Sequence, residues 1–224
     1  MIAIALMMGF GMMGTTPAAV VATFPASPRL ILGYLLTDDP AEAAPLAIDL
    51  NEDGTGDAFF KGGGPMIDFF VTDGNRALVV APPPPNLGGL TANLPADSII
   101  GAGSMDSGVF RWYGGFPAPG IAESYGLPLD IHAIAFSDLN THGNNGYFFN
   151  ASGYIGIEFQ IEGQPHFGWI HITNETGMGH GGYVDAWAYE SEPSQPIRAG
   201  QVPEPEVFLL LVCCAVMVFR RRAA

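Results

Sequence analysis

Between residues 23 and 200 the chain alternates short apolar runs with clusters of Gly, Pro, Asn and Asp, the pattern of strands joined by turns. Residues 29–36, 58–60 and 66–72 predict the first strands. Asp73-Gly74-Asn75 reads as a turn into a strand at 76–80, so the runs on either side of it predict a hairpin. A polyproline connection at 82–85 leads to a long loop, 86–107, with one short strand near 98–101. Strands at 109–113 and 131–136 follow. The clearest pattern lies at 154–162. There Ile155, Ile157, Phe159 and Ile161 share one face while Glu158, Gln160 and Glu162 share the other, as in a half-buried strand. Gly163-Gln164-Pro165 turns the chain, and 166–173 returns antiparallel, with Phe167, Trp169 and His171 opposite Ile170 and Ile172. A Gly-rich loop at 177–182 precedes a last strand at 183–190. No stretch has the spacing of an amphipathic helix. These elements predict an all-β, antiparallel β-sandwich of jelly-roll-like type.

Composition agrees with short strands and many turns, because 30 of the 224 residues are Gly and 19 are Pro. Both cysteines, Cys213 and Cys214, lie in an apolar tail, so the body has no disulfide and depends on its packed core, with a bound metal as an added support. The 22 acids outnumber the 8 bases. Setting aside Glu204, Glu206, Arg220, Arg221 and Arg222 leaves 20 acids against 5 bases, and Lys61 is the one lysine. A surface of that sign repels phosphate backbones and anionic headgroups, which excludes nucleic acid as a partner, and it attracts divalent cations.

The two ends differ in composition from the body. Residues 1–22 are apolar and small, interrupted by Thr15, Thr16 and Pro17, and read as a signal peptide with Val20-Val21-Ala22 as the cleavage site before Thr23. The usual basic residue ahead of the apolar stretch is missing. Residues 23–200 form the body and 201–224 the tail. In the tail, Pro203-Glu204-Pro205 precedes thirteen apolar residues, 207–219, and then Arg220, Arg221 and Arg222. Thirteen residues span about 20 Å as a helix, short of the roughly 30 Å hydrocarbon core, and the arginines favour the cytoplasmic side.

This order closely resembles the PEP-CTERM sorting domain, with Pro203, Glu204 and Pro205 matching the signature triplet. The resemblance covers about the last 22 residues. It implies export by the secretion machinery, transient inner-membrane insertion through the apolar helix, and recognition by exosortase as a substrate. It further implies removal of the tail and delivery to the cell surface or extracellular matrix of a Gram-negative-type bacterium. Upstream, Tyr154-Ile155-Gly156, Gly168-Trp169, Tyr189-Glu190 and Pro196-Ile197 are similar to the last part of many such proteins.

One segment has the residue types of a metal site. Asp49, Asn51, Asp53, Thr55 and Asp57 stand at alternate positions of a tight loop, with Gly54 permitting the sharp turn. Calcium takes six to eight oxygens, and these side chains plus the Thr55 carbonyl supply hard donors in the opening pattern of a calcium loop. Position 12 of such a loop is Phe60 rather than Glu, so the pattern predicts a structural Ca²⁺ between strands and not an EF-hand. The alternative is an acidic turn closed by its own hydrogen bonds. His166 and His171 fall on opposite faces of one strand and cannot share a metal. No nucleophile elbow, zinc-protease motif or phosphate loop is present, so no catalytic residue is assigned and a non-enzymatic surface or matrix protein is expected. A carbohydrate-binding module is the alternative if Trp112, Tyr113, Trp169, Tyr183, Trp187 and Tyr189 face solvent, with core packing as their ordinary role. A matrix-acting hydrolase ranks third.

Overall fold

The computed structural model describes residues 19–32, 45–63, 66–80, 90–105, 108–138, 148, 151–173 and 181–203. The expected signal up to residue 18, the polyproline connection, His142, His180 and the tail from Glu204 through Pro205 to Arg220, Arg221 and Arg222 lie outside these residues. Among the described residues fourteen strands, one short α-helix and one 3-10 turn (Ala102–Met105) are formed. They are β1 (Val20–Thr23), β2 (Arg29–Leu32), β3 (Leu46–Ile48), β4 (Ala58–Gly63), β5 (Met66–Thr72), β6 (Arg76–Val80) and β7 (Ile99–Ile100). After these come β8 (Phe110–Tyr113), β9 (Phe116–Pro117), α1 (Pro119–Tyr125), β10 (Ile131–Asp138), β11 (Gly153–Ile161), β12 (Gln164–Thr173), β13 (Gly181–Glu190) and β14 (Ile197–Arg198).

All pairings are antiparallel. One sheet runs β1-β13-β12-β11-β6-β8, with β2 pairing β13 further along the edge that β1 occupies; a second runs β3-β4-β5-β10-β9; β7 and β14 form a small ribbon. Period-two alternation explains the main core. Ile48, Phe60, Phe69, Val71 and Ile134 of the second sheet share one buried cluster with Val79, Ile155, Ile157, Phe159, Ile170 and Trp187 of the first. Burying each such side chain contributes roughly 1.5–3 kcal/mol, which makes this shared layer the main source of stability.

Both sheets are also covered on their other faces. Leu78, Trp112, Phe167, Trp169 and Ala188 of the first sheet pack beneath Leu94, Ile100 and Ile197. Phe59, Phe70, Ile131 and Ala133 of the second pack against Ala122 and Leu127, in and just after α1. The expectation of a half-buried strand at 154–162 is therefore corrected. Glu158 is only 4% exposed, and the Arg76 guanidinium donates to both of its carboxylate oxygens. The pair lets a carboxylate stay beneath the surface where the pattern alone predicts solvent.

Two further expectations are corrected. The runs flanking Asp73-Gly74-Asn75 do not pair with each other: β5 joins β4 and β10, while β6 joins β11 and β8. The turn carries the chain from one sheet to the other, and Asn75 holds it there. Its side-chain amide donates to the Asp57 carbonyl at 3.2 Å and its oxygen accepts the Gln160 N–H at 3.1 Å. A helix not expected from the pattern, α1, is seven residues long. It begins at Pro119, where a missing N–H costs nothing, and ends at left-handed Gly126, whose N–H caps the Ala122 and Glu123 carbonyls. Its short length hid its period. Among the described residues no helix is long and apolar enough to cross a membrane.

Candidate functional site

The acidic loop, residues 49–57, connects β3 to β4 at one end of the second sheet. Ile48 pairs Ala58, and the Asp57 N–H donates to the Ile48 carbonyl at 2.8 Å, closing the hairpin. Glu52 and Gly54 adopt left-handed backbone, which folds the loop back on itself. Asp49 accepts the N–H groups of Asp53 (3.2 Å) and Gly54 (2.8 Å), and Asp53 accepts that of Thr55 (2.8 Å). The Asn51 amide donates to the other Asp53 oxygen at 3.0 Å. Asp53 is held below the usual carboxylate range by the Thr55 N–H and then the Asn51 amide. Asp49 and Asn51 are half-buried, Asp53 and Thr55 exposed, and Asp57 buried.

Asp57 differs from its neighbours. Its carboxylate accepts the Leu50 N–H at 2.8 Å, yet burial pushes its pKa up to about 6, with the charges of Asp53 and Asp49 adding to the rise. Asp49, Asp53 and Asp57 thus hold negative charge at close quarters while their oxygens serve the loop's own N–H groups. Among the described residues no cluster of three or more His, Cys, Asp or Glu side chains is disposed to hold a metal. An ion entering this loop would compete with those N–H donors for the same oxygens.

The aromatic residues proposed as a sugar platform mostly lie inside. Trp112, Trp169 and Trp187 are 9%, 1% and 5% exposed, while Tyr113, Tyr183 and Tyr189 are half-buried. Trp112 stacks on Phe167 at 5.6 Å, and its indole N–H donates to the Gly101 carbonyl at 3.1 Å. These side chains carry out core packing.

A second constellation, not marked by any motif, lies on the outer face of the first sheet. Tyr154 of β11 stands opposite His171 of β12 in register, with ring centroids 4.5 Å apart. On the other side of β12 the register of β13 shifts at His171. This bulge brings Asp185 to the outer face beside Ala186, a common way for a strand to re-aim one side chain. His171 Nδ1 lies 2.5 Å from the Asp185 carboxylate, and Thr173 donates its hydroxyl to the other oxygen at 2.6 Å. The carboxylate therefore holds the proton on Nδ1 and leaves Nε2 as the free ring nitrogen, without a hydrogen-bond partner among the described residues. The Tyr154 hydroxyl is kept protonated to higher pH by burial and then by the Asp185 and Asp97 charges.

This row floors a hollow of about 380 Å³. Its rim is Phe24, 61% exposed, just after β1, and Val202, 42% exposed, where the chain leaves the fold. The exit is fastened at Gln201, whose carbonyl accepts the Trp169 indole N–H at 3.2 Å. Gly200, at φ +80°, lies so near Tyr154 that a Cβ would stand 2.7 Å from its hydroxyl. Pro203, the first residue of the Pro-Glu-Pro triplet, is exposed one residue beyond the rim. The single sequence signal for this site was an Asp and a His within otherwise apolar strands, which alternation alone assigns to opposite environments. No family model, curated protein or solved structure matches this chain at a significant level.

Proposed function

We propose that the chain is an exported, exosortase-sorted protein of the cell surface or extracellular matrix whose two-sheet, sandwich-like body is non-catalytic. The observation that carries this reading is the sequence order of the tail, Pro203-Glu204-Pro205 followed by the apolar stretch 207–219 and then Arg220, Arg221 and Arg222. The fold is consistent with it. The body's hydrogen-bonded structure runs to Gln201, and Pro203, the first residue of the triplet, is exposed just beyond it. Burial of all three tryptophans leaves the aromatic platform without its main members and so favours this reading over sugar binding through those residues. The winding between sheets at β2–β3, β5–β6, β8–β9 and β10–β11 supports the sandwich form, with the jelly-roll likeness confined to that alternation.

The test is expression in two otherwise identical hosts, with and without exosortase, followed by mass spectrometry of the membrane and surface fractions. The reading predicts a tailless form at the surface only where the enzyme is present, and loss of that form when Pro203 and Glu204 are both replaced by Ala. Full-length protein retained in the membrane of both hosts would sink it.

A specific observation favours a structural calcium in the loop as part of the same reading. Burial first, and then the charges of Asp53 and Asp49, raise Asp57, and a divalent cation held by the ionised carboxylates would relieve the part that is repulsion. The oxygens of Asp49, Asn51, Asp53 and Asp57 and the Thr55 carbonyl would hold it.

A further inference from the structure

The hollow on the outer face of the first sheet combines three properties of a small-ligand site. It is concave, at about 380 Å³, within the range of ligand pockets. Its floor is a polar row built across three adjacent strands, Tyr154, His171 and Asp185, with the imidazole fixed in one tautomer by a carboxylate and a threonine hydroxyl. Its rim offers the largely exposed Phe24 ring and the Val202 side chain. The row depends on a bulge at Asp185 and on a glycine at 200, features that core packing of the sheet does not itself require.

We propose that this hollow binds an uncharged or amino-substituted saccharide unit. A pyranose ring has one face of C–H groups and an equator of hydroxyls. The positive edge of the C–H face suits the negative face of Phe24. The hydroxyls, which both donate and accept, suit the free His171 Nε2 and the Tyr154 hydroxyl. Acidic sugars are disfavoured, because Asp185 faces the hollow, Asp97 stands near Tyr154, and the chain carries a formal charge of −14. The hollow takes one or two rings, as a side branch or chain end of a polysaccharide. The inference rests on the matrix-protein reading for the source of the ligand, whereas its test is independent of tail processing.

The test uses the purified full-length chain, with galactose, N-acetylglucosamine, glucosamine and glucuronate as probes. Saturation-transfer NMR and titration calorimetry would follow binding. At least one of the first three should bind with a dissociation constant of about 1 mM or tighter, and glucuronate roughly tenfold more weakly. Phe24→Ala and His171→Gln should each weaken that binding about tenfold or more, with the melting temperature and circular dichroism of Phe24→Ala unchanged because its ring is mostly in solvent. No binding by any probe up to about 50 mM would overturn the proposal, as would binding that neither variant weakens or glucuronate binding as tight as that of its uncharged counterparts.

Discussion

Asp57 shows how one buried carboxylate ties stability to pH. Its folded pKa lies near 6 against 3.8 for the ordinary side chain, chiefly because burial disfavours the charge. The folded state therefore binds this proton more tightly than the unfolded state. The stability it contributes is present at pH values below about 4 and is lost as pH rises through about 6, an effect on the order of 2 kcal/mol. Asp57→Asn should flatten that slope, measured as the difference in urea unfolding between the two proteins from pH 4 to pH 7. Calcium acts in the opposite sense, since it requires ionised carboxylates. At pH 8 a hundredfold excess over the dissociation constant should add about 2.7 kcal/mol relative to EDTA, and the same calcium concentration at pH 5 about half as much, because protonating Asp57 weakens binding about tenfold. Asp53→Ala should abolish the gain, whereas coincident melting curves at pH 8 would leave the loop as a self-closed acidic turn. The residue types of this loop were legible from spacing alone. What spacing could not show is that Asn75 reaches the Asp57 carboxylate, which depends on β6 being brought beside the loop from elsewhere in the chain.

At the scale of elements, β12 contributes to two cores. Ile170 faces the layer between the sheets, and Trp169 faces the outer cluster beneath Leu94 and Ile197. Ile170→Ala and Trp169→Ala should therefore each destabilise by about 2–5 kcal/mol in denaturant unfolding, although their side chains point oppositely. A mild effect of Trp169→Ala, below about 1 kcal/mol, would mean that the outer face is in fact open to solvent. The β11–β12 hairpin was legible as two antiparallel arms, but the turn expected at Gly163-Gln164-Pro165 is corrected: Glu162 and Gly163, both at positive φ, make a two-residue turn, and Gln164 and Pro165 already pair with Ile161 and Gln160. β1 was not. Its residues read as the end of a signal peptide, yet Val20–Thr23 pairs with Trp187–Glu190, and Val20 and Ala22 pack on the outer cluster. The cleavage expected before Thr23 falls inside this strand. Amino-terminal sequencing of the exported protein should accordingly read a start at or before Ala19; a start at Thr23 would show that the mature fold dispenses with β1.

For the whole molecule, the two sheets share one apolar layer and are joined across it by a buried polar clasp. Asn75 is 5% exposed and joins the Asp57 carbonyl at the end of one sheet to the Gln160 N–H in the other. Asn75→Ala should cost about 1–3 kcal/mol, since it leaves buried backbone groups without partners. Because the shared core couples the sheets, that loss should shift one cooperative transition rather than split it in two. Two resolved transitions, one per sheet, would contradict the coupling.

The sequence by itself determined the strand-rich class, the alternation of β11 and β12, the acidic character and the ordered features of the tail, because each rests on local period or composition. Only the tertiary structure decided which strands share a sheet. The turn at Asp73-Gly74-Asn75 has the residues of a hairpin, but its flanking strands are both apolar enough for either sheet, and Asn75 finds its partners only across the gap. The outer layers were likewise invisible. Whether Trp169 or Glu158 meets water depends on segments distant in the chain, Leu94 and Ile197 in one case and Arg76 in the other. The Tyr154, His171 and Asp185 row arises from cross-strand register and a bulge, neither of which leaves a mark on residue spacing within one strand.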